Sequence, residues 1–208
     1  MTEDEPEALL FAAEAAYADS MVQSALGDVD ACIASLEQSL EYVPIYAPAI
    51  LALASIQYQL DEVEEGRRSL FSLLDLAEHD GAEDTSDLAE IIDLAGDFLI
   101  SRRDYRDGFE LYRRATDRFP AVAALHQGLC LCAGRQGHQD IALSAAEAAL
   151  ALEPDDQTVV NDMGWTLYEG GQFDRALPFL ERAVELDPQD ELAAENLRIC
   201  RTALEEQT

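Results

Sequence analysis

Three prolines, Pro120, Pro154 and Pro188, stand 34 residues apart, and Pro44 lies 76 residues before the first of them. Seventy-six is two such intervals plus eight residues. A fixed spacing of this length constrains the fold more than any other feature of the chain. Each period must be one supersecondary unit that buries its apolar face against the next. Residues 157–190, QTVVNDMGWTLYEGGQFDRALPFLERAVELDPQD, show what the unit is. A first helix is expected over 158–169, ended by Gly170-Gly171, since glycine takes the left-handed backbone of a helix exit. A second is expected over 173–186. Asp187-Pro188 stops it, because proline cannot continue a helix and biases the residue before it away from one. Gly164, Ala176 and Ala183 are small where the two helices would approach, and Val160, Met163, Leu167, Phe173, Leu177, Leu180 and Val184 would fill the space between.

Residues 123–156 repeat this pattern, with Gly137 at the turn, Ala142 and Ala149 in the small slots and Pro154 at the close. Residues 89–122 follow with Gly96, Gly108, Ala115 and Pro120, but Arg103 stands at the turn. Two earlier units are more degenerate. Residues 47–80 keep Leu53, Ala54, Gly66 and Leu70, with Asp61 at the turn and Glu78 in place of the closing proline. Residues 13–46 keep Gly27, Cys32, Leu36 and Pro44, with Asp19 and Gln23 at positions expected to be apolar. The expected organisation is an acidic, partly helical extension over 1–12, its helix starting near Pro6, a residue suited to a first helical turn. Two degenerate units over 13–80 follow, then a polar loop over 81–88, in which Thr85 or Ser86 can cap the next helix. Three units over 89–190 and a capping helix with a tail over 191–208 complete the chain, with Leu192, Leu197, Ile199 and Leu204 as the apolar residues of the cap.

A 34-residue helix–turn–helix unit with small, aromatic and proline slots in this order resembles the tetratricopeptide repeat (TPR). The resemblance implies an all-α fold, a right-handed α-solenoid of about five TPR units plus a C-terminal capping helix. It also implies that the first helix of each repeat lines a concave groove. The usual groove positions fall on Tyr17 and Met21, then Leu51, Ser55 and Tyr58, then Asp93, Asp97 and Ile100. They continue with Gln127, Leu131 and Arg135, and end with Thr158, Asn161, Trp165, Tyr168 and Glu169. Trp165 is the single tryptophan and is not needed in the packing slots. It shares a helix face with Tyr168, three residues on, and such a pair suits a hot spot for a partner segment. The alternative is that Trp165 packs on the capping helix. Some family members grip an acidic tail with Lys, Arg and Asn side chains. Here those positions carry Asp93, Asp97 and apolar residues, with Arg135 the lone cation, so a basic or apolar segment is expected rather than an acidic one.

Charge points the same way. Forty-three Asp and Glu face 13 basic residues, all of them Arg, for a formal charge of −30. Such a chain repels phosphate backbones and anionic bilayers, so neither nucleic acid nor membrane is expected as a partner. Basic proteins would be drawn in, although acidity also serves solubility alone. Six arginines cluster at Arg102, Arg103, Arg106, Arg113, Arg114 and Arg118. They are either paired locally with Asp104, Asp107, Glu110 and Asp117 or a candidate second docking surface.

Little in the sequence points to chemistry. Cys32, Cys130, Cys132 and Cys200 lack zinc or disulfide spacing. His126 and Cys130 are four apart but fall in packing slots, and no phosphate loop, zincin motif or nucleophile elbow occurs. No cofactor, metal or enzymatic activity is expected. The start, MTEDEPEALL, has neither the basic residues nor the apolar stretch of an export signal, and no run reaches membrane-spanning length. A cytoplasmic protein is expected. The reading is a non-catalytic interaction module (an adaptor, assembly factor or client chaperone) that holds a partner segment in its groove. The alternative is a fixed subunit of a larger complex or homo-oligomer, docked through convex or terminal faces.

Overall fold

Asp28, Asp104 and Asp156 each stand just before a helix, and each carboxylate accepts from the backbone amide three residues on, Ala31, Asp107 and Val159. These caps satisfy amides that a helix start would otherwise leave unbonded. They open three of the eleven helices found in the computed structural model, which describes residues 4–76 and 86–206. The helices are α1 (Asp4–Leu26), α2 (Val29–Tyr42), α3 (Ala47–Gln59), α4 (Val63–Leu76), α5 (Ser86–Ser101), α6 (Tyr105–Arg118), α7 (Ala123–Arg135), α8 (Gln139–Leu152), α9 (Gln157–Glu169), α10 (Phe173–Leu186) and α11 (Glu191–Glu206). No strand occurs among the described residues. Most of the expected loop, residues 81–85, lies outside them.

The period is built into the backbone. α7, α9 and α11 begin 34 residues apart, and so do α6, α8 and α10. Positive φ occurs at Gly27 (77°), Asp61 (68°), Arg103 (62°), Gly137 (76°) and Gly171 (71°). Each of these residues sits in the tight link between the two helices of one pair, and the intervals are 34, 42, 34 and 34. The single long interval carries the eight extra residues. Three links use glycine, for which this backbone is free of steric cost, while Asp61 and Arg103 hold it with a β-carbon.

Residues 4–98 and 99–206 form two compact units, each with its own core. In the first, Cys32 and Leu36 of α2 pack on Ala49 of α3, with Tyr17, Tyr46, Leu53 and Ile56 around them. The fully buried Ser39 hydroxyl donates to the carbonyl of Ala13 at 2.8 Å, tying α2 to α1. In the second, Val160, Ala183 and Ala193 bring α9, α10 and α11 together, flanked by Leu150, Phe179 and Val184. Met163, Leu167, Ala176 and Leu180 are buried beside them, while Phe173, Leu177 and Val184 are half-buried. A fully buried leucine such as Leu180 contributes ~1.5–3 kcal/mol over an exposed one. Gly164 lets α9 and α10 close up, since a β-carbon there would lie 2.8 Å from the Leu180 side chain and 3.1 Å from its backbone nitrogen.

α11 covers the end of the last pair, and of its four apolar residues named from the sequence Leu197 is buried, Ile199 and Leu204 are half-buried, and one lies outside the packed face. Leu192 is 64% exposed. The buried face is Ala193, Asn196, Leu197 and Cys200. Those positions follow the i, i+3, i+4, i+7 stripe of one helix face, and two of the four residues are an amide and a thiol, so counting leucines misses the stripe.

Candidate functional site

In the second unit α7 and α9 present matching positions one period apart. Leu131 corresponds to Trp165, and Arg135 to Glu169. These four side chains, with Gln127, Cys130, Asp162 and Thr166, line a hollow of about 50 Å³. It has room for the tip of one partner side chain. Five residues expected in the groove thus meet at one place: Gln127, Leu131 and Arg135 from α7, and Trp165 and Glu169 from α9. Cys130, Asp162 and Thr166 were not anticipated. Asp162 is one residue, or 100° of helix, beyond the expected position 161.

Trp165 is half-buried and stacks on Tyr168 with ring centroids 4.8 Å apart and planes at 25°. Tyr168 meets Phe173 of α10 at 5.1 Å. This three-ring series holds the indole in place before any partner arrives, and rigid aromatic anchors lose little entropy on binding. Beneath it, the Gln127 amide donates to Asp162 at 3.2 Å, and the Cys130 thiol lies 3.1 Å from the Thr166 hydroxyl.

The floor is a poor place for charge. Burial holds the Asp162 carboxyl above the usual carboxylate range; hydrogen bonds from Gln127 and Asn161 oppose that shift, and nearby Asp156 adds to it. Burial also pushes the Cys130 thiol up to about 11, against the Thr166 hydrogen bond and with help from the charges of Asp162 and Glu169. A thiol of that kind stays protonated at neutral pH and is neither a nucleophile nor a ready metal ligand. His126 is turned to the carbonyl of Pro120 at 3.0 Å. No group of three or more His, Cys, Asp or Glu suited to a metal occurs among the described residues.

Two expected groove residues lie elsewhere. Asn161 is 4% exposed and accepts a 3.0 Å hydrogen bond from the Asn196 amide of α11. The reason lies in the repeat. Gln127 and Asp162 make the same bridge one period earlier, and Asn196 follows Asp162 by 34 residues. In the last repeat this position is buried against α11, whereas Gln127 one period earlier still borders the hollow. Tyr58 is 3% exposed and packs edge-on against Phe98 at 5.4 Å, because α3 turns this large ring toward its neighbours. Thr158 is exposed and bonds to Gln157.

The first unit has its own, larger hollow of about 410 Å³. Tyr17 and Met21 of α1 and Ser55 of α3 line it, with Ser20, Ser24, Cys32 and Ile56. Tyr17 also meets Tyr46 edge-on at 5.7 Å, so it serves the core and the rim together. Leu51 is half-buried on α3. Asp93, Asp97 and Ile100 lie on α5 and line neither hollow. Of the arginine cluster, Arg102 and Arg103 lie in the α5–α6 link and the other four ride on α6. Arg113 pairs with Glu110 through two hydrogen bonds, at 2.9 and 3.2 Å.

A tetratricopeptide repeat model matches residues 135–198. A curated relative, the small glutamine-rich tetratricopeptide repeat-containing protein 2 of Mycosarcoma maydis, is 23% identical over 116 residues, or 56% of this chain. The match covers 33% of that protein, so the chain spans about a third of the relative's length. Among solved structures, YrrB, a TPR protein described as having an unusual peptide-binding site, superposes with a TM-score of 0.60 at 17% identity, covering 86% of this chain and 89% of that one. MamA gives 0.59 at 18% identity, over 86% and 93%. The first TPR domain of Spaghetti (RPAP3), bound to the HSP90 peptide SRMEEVD, gives 0.52 at 22%, over 56% and 92%. With helix–turn–helix pairs at a 34-residue period and a terminal helix over the last of them, this chain has the all-α fold of the tetratricopeptide repeat solenoids, and its residues 135–198 match that family's model.

Proposed function

We propose that the protein is a non-catalytic interaction module that holds a segment of a partner protein against the α7–α9 hollow of its second unit. One observation carries the reading. A rigid Trp165–Tyr168–Phe173 series stands beside a small opening walled by Leu131 and edged by the exposed Glu169, with Asp162 in its floor. An apolar wall and a rim carboxylate beside an aromatic face suit an Arg or Lys side chain, or an apolar anchor flanked by such residues. Arg135 at the rim would pair with a single acidic group of the same segment. Solved TPR relatives described as peptide-binding or peptide-bound support the class of ligand. The four buried thiols and the absence of a membrane-spanning helix among the described residues fit a cytoplasmic module.

The test uses the single tryptophan. Partners captured from the native source by the wild-type chain are compared with those captured by Trp165→Ala of equal helicity. Short peptides from the captured partner are then titrated against Trp165 emission. Loss of capture in the variant, with a saturable emission change from a basic or apolar peptide, is expected. Equal capture by both chains would sink the reading.

A further inference from the structure

α1 is apolar on two opposite faces. One face is buried, through Ala13, Ala16 and Ser20. The other carries Phe11, Ala15, Ala18, Val22 and Leu26, at steps of four, three, four and four residues, which align as one stripe along a helix. All five are exposed: Phe11 and Leu26 at 73%, Val22 at 57%, and the two alanines with them. At 100° per residue the stripe stands opposite Tyr17, Ser20 and Ser24, which line the hollow of the first unit. It is therefore a separate surface. A soluble helix ordinarily carries polar residues there, and a contiguous apolar patch marks an interaction site.

The charge around the stripe selects its occupant. Glu7, Glu14 and Asp19 flank it, all exposed, and no basic residue precedes Arg67 in the chain. A second copy of α1 laid on the stripe would set acid against acid with nothing to neutralise either. A helix with a leucine-like face and Lys or Arg along its margins would bury the stripe and pair with the carboxylates. Ala15 and Ala18, in the middle, allow its backbone to come close. We propose that this outer face of α1 docks a basic amphipathic helix of a partner protein, independently of the α7–α9 hollow.

The probe is a fluorescent helical peptide of about 18 residues, with leucines at i, i+3, i+4 and i+7 and lysines elsewhere. Its mate carries glutamate in place of lysine. The wild-type chain should bind the lysine peptide saturably by anisotropy and leave the glutamate peptide free. Phe11→Ser with Val22→Ser keeps every charge and, compared with its parent in a Trp165→Ala background that takes the α7–α9 hollow out of play, should weaken binding by ~10-fold or more. If the double variant loses helicity, Ala15→Glu with Ala18→Glu replaces it. That variant should also bind more weakly, in spite of its two added negative charges. Equal affinity of wild type and these variants overturns the proposal, since the attraction would then be diffuse charge. A wild-type dimer that the double variant dissolves overturns it in favour of a second copy. Flotation with phosphatidylcholine vesicles by the wild type alone overturns it in favour of a lipid surface.

Discussion

Arg103 and Asp61 hold φ of 62° and 68° at links where Gly27, Gly137 and Gly171 do the same. A β-carbon in this region costs ~1–2 kcal/mol, less for Asp, whose short side chain tolerates it. Replacement by glycine removes that strain but loosens the unfolded chain, which offsets part of the gain. Arg103→Gly should therefore stabilise the protein by ~0.5–1 kcal/mol and Asp61→Gly by less, read as a higher urea midpoint at unchanged slope. A lowered midpoint in both would show that the side chains contribute more to the turns than the strain costs. Asp162 offers a test of charge at a single residue. Its carboxyl is held above the usual range chiefly by burial. The fold thus favours the protonated form, and that contribution is complete in acid and lost as pH rises through the raised value. Asp162→Asn never ionises, and its carbonyl can still accept from Gln127. Its stability relative to wild type should rise as the pH climbs from below the ordinary carboxylate range through the raised value. A difference that stays flat or shrinks over that range would contradict the burial argument.

At the level of helices, the bridge between Asn161 and Asn196 shows how α11 is fixed. Both amides are buried, at 4% and 6% exposure, and each satisfies the other. Asn196→Ala leaves Asn161 buried without this partner and should cost ~1–3 kcal/mol. Removing both amides, with Asn161→Ala added, should cost less than the sum of the two single changes, as unfolding midpoints would reveal. Strict additivity would mean that the two do not interact. The same bridge explains what the sequence concealed. The ends of α9 and α10 were legible to within a residue, because Gly171 and Pro188 punctuate them and glycine and proline act through local backbone sterics. Which side of a helix faces a neighbour depends on the next repeat. Asn161 therefore reads as a groove residue until Asn196 is seen against it. Tyr58 misleads in the same way, as a tyrosine on a nominal groove face that is buried against Phe98. Leu192 errs in the other direction, an exposed leucine in a helix that buries Leu197 together with alanine, asparagine and cysteine. Leu131 and Trp165 read as neighbours from the sequence, because the 34-residue period alone puts them at matching positions of α7 and α9.

Over the whole chain, charge is the dominant unbalanced quantity. Thirteen arginines cannot neutralise 43 carboxylates. Pairs seen among the described residues are exposed: Arg68–Glu65, Arg113–Glu110 and Arg198–Glu195 lie within single helices, Arg201–Glu181 links α11 to α10, and Arg182 of α10 reaches Asp155 just before α9. Exposed pairs of this kind contribute ~0–1 kcal/mol each. The remaining carboxylates repel one another more strongly in the compact state than in the expanded one. Salt acts on both effects, but not equally. The Debye length falls from roughly 30 Å at 0.01 M to 3 Å at 1 M, which removes most of the long-range repulsion while each close pair loses only part of a small energy. Molar NaCl should therefore stabilise the protein over low salt by ~2 kcal/mol, which at this chain length raises the thermal midpoint by roughly 4–8 °C. Calorimetry at the two ionic strengths decides the matter. An unchanged or lowered midpoint would mean that the arginine pairs outweigh the repulsion, and that the acidity is already dispersed widely enough to cost the fold nothing.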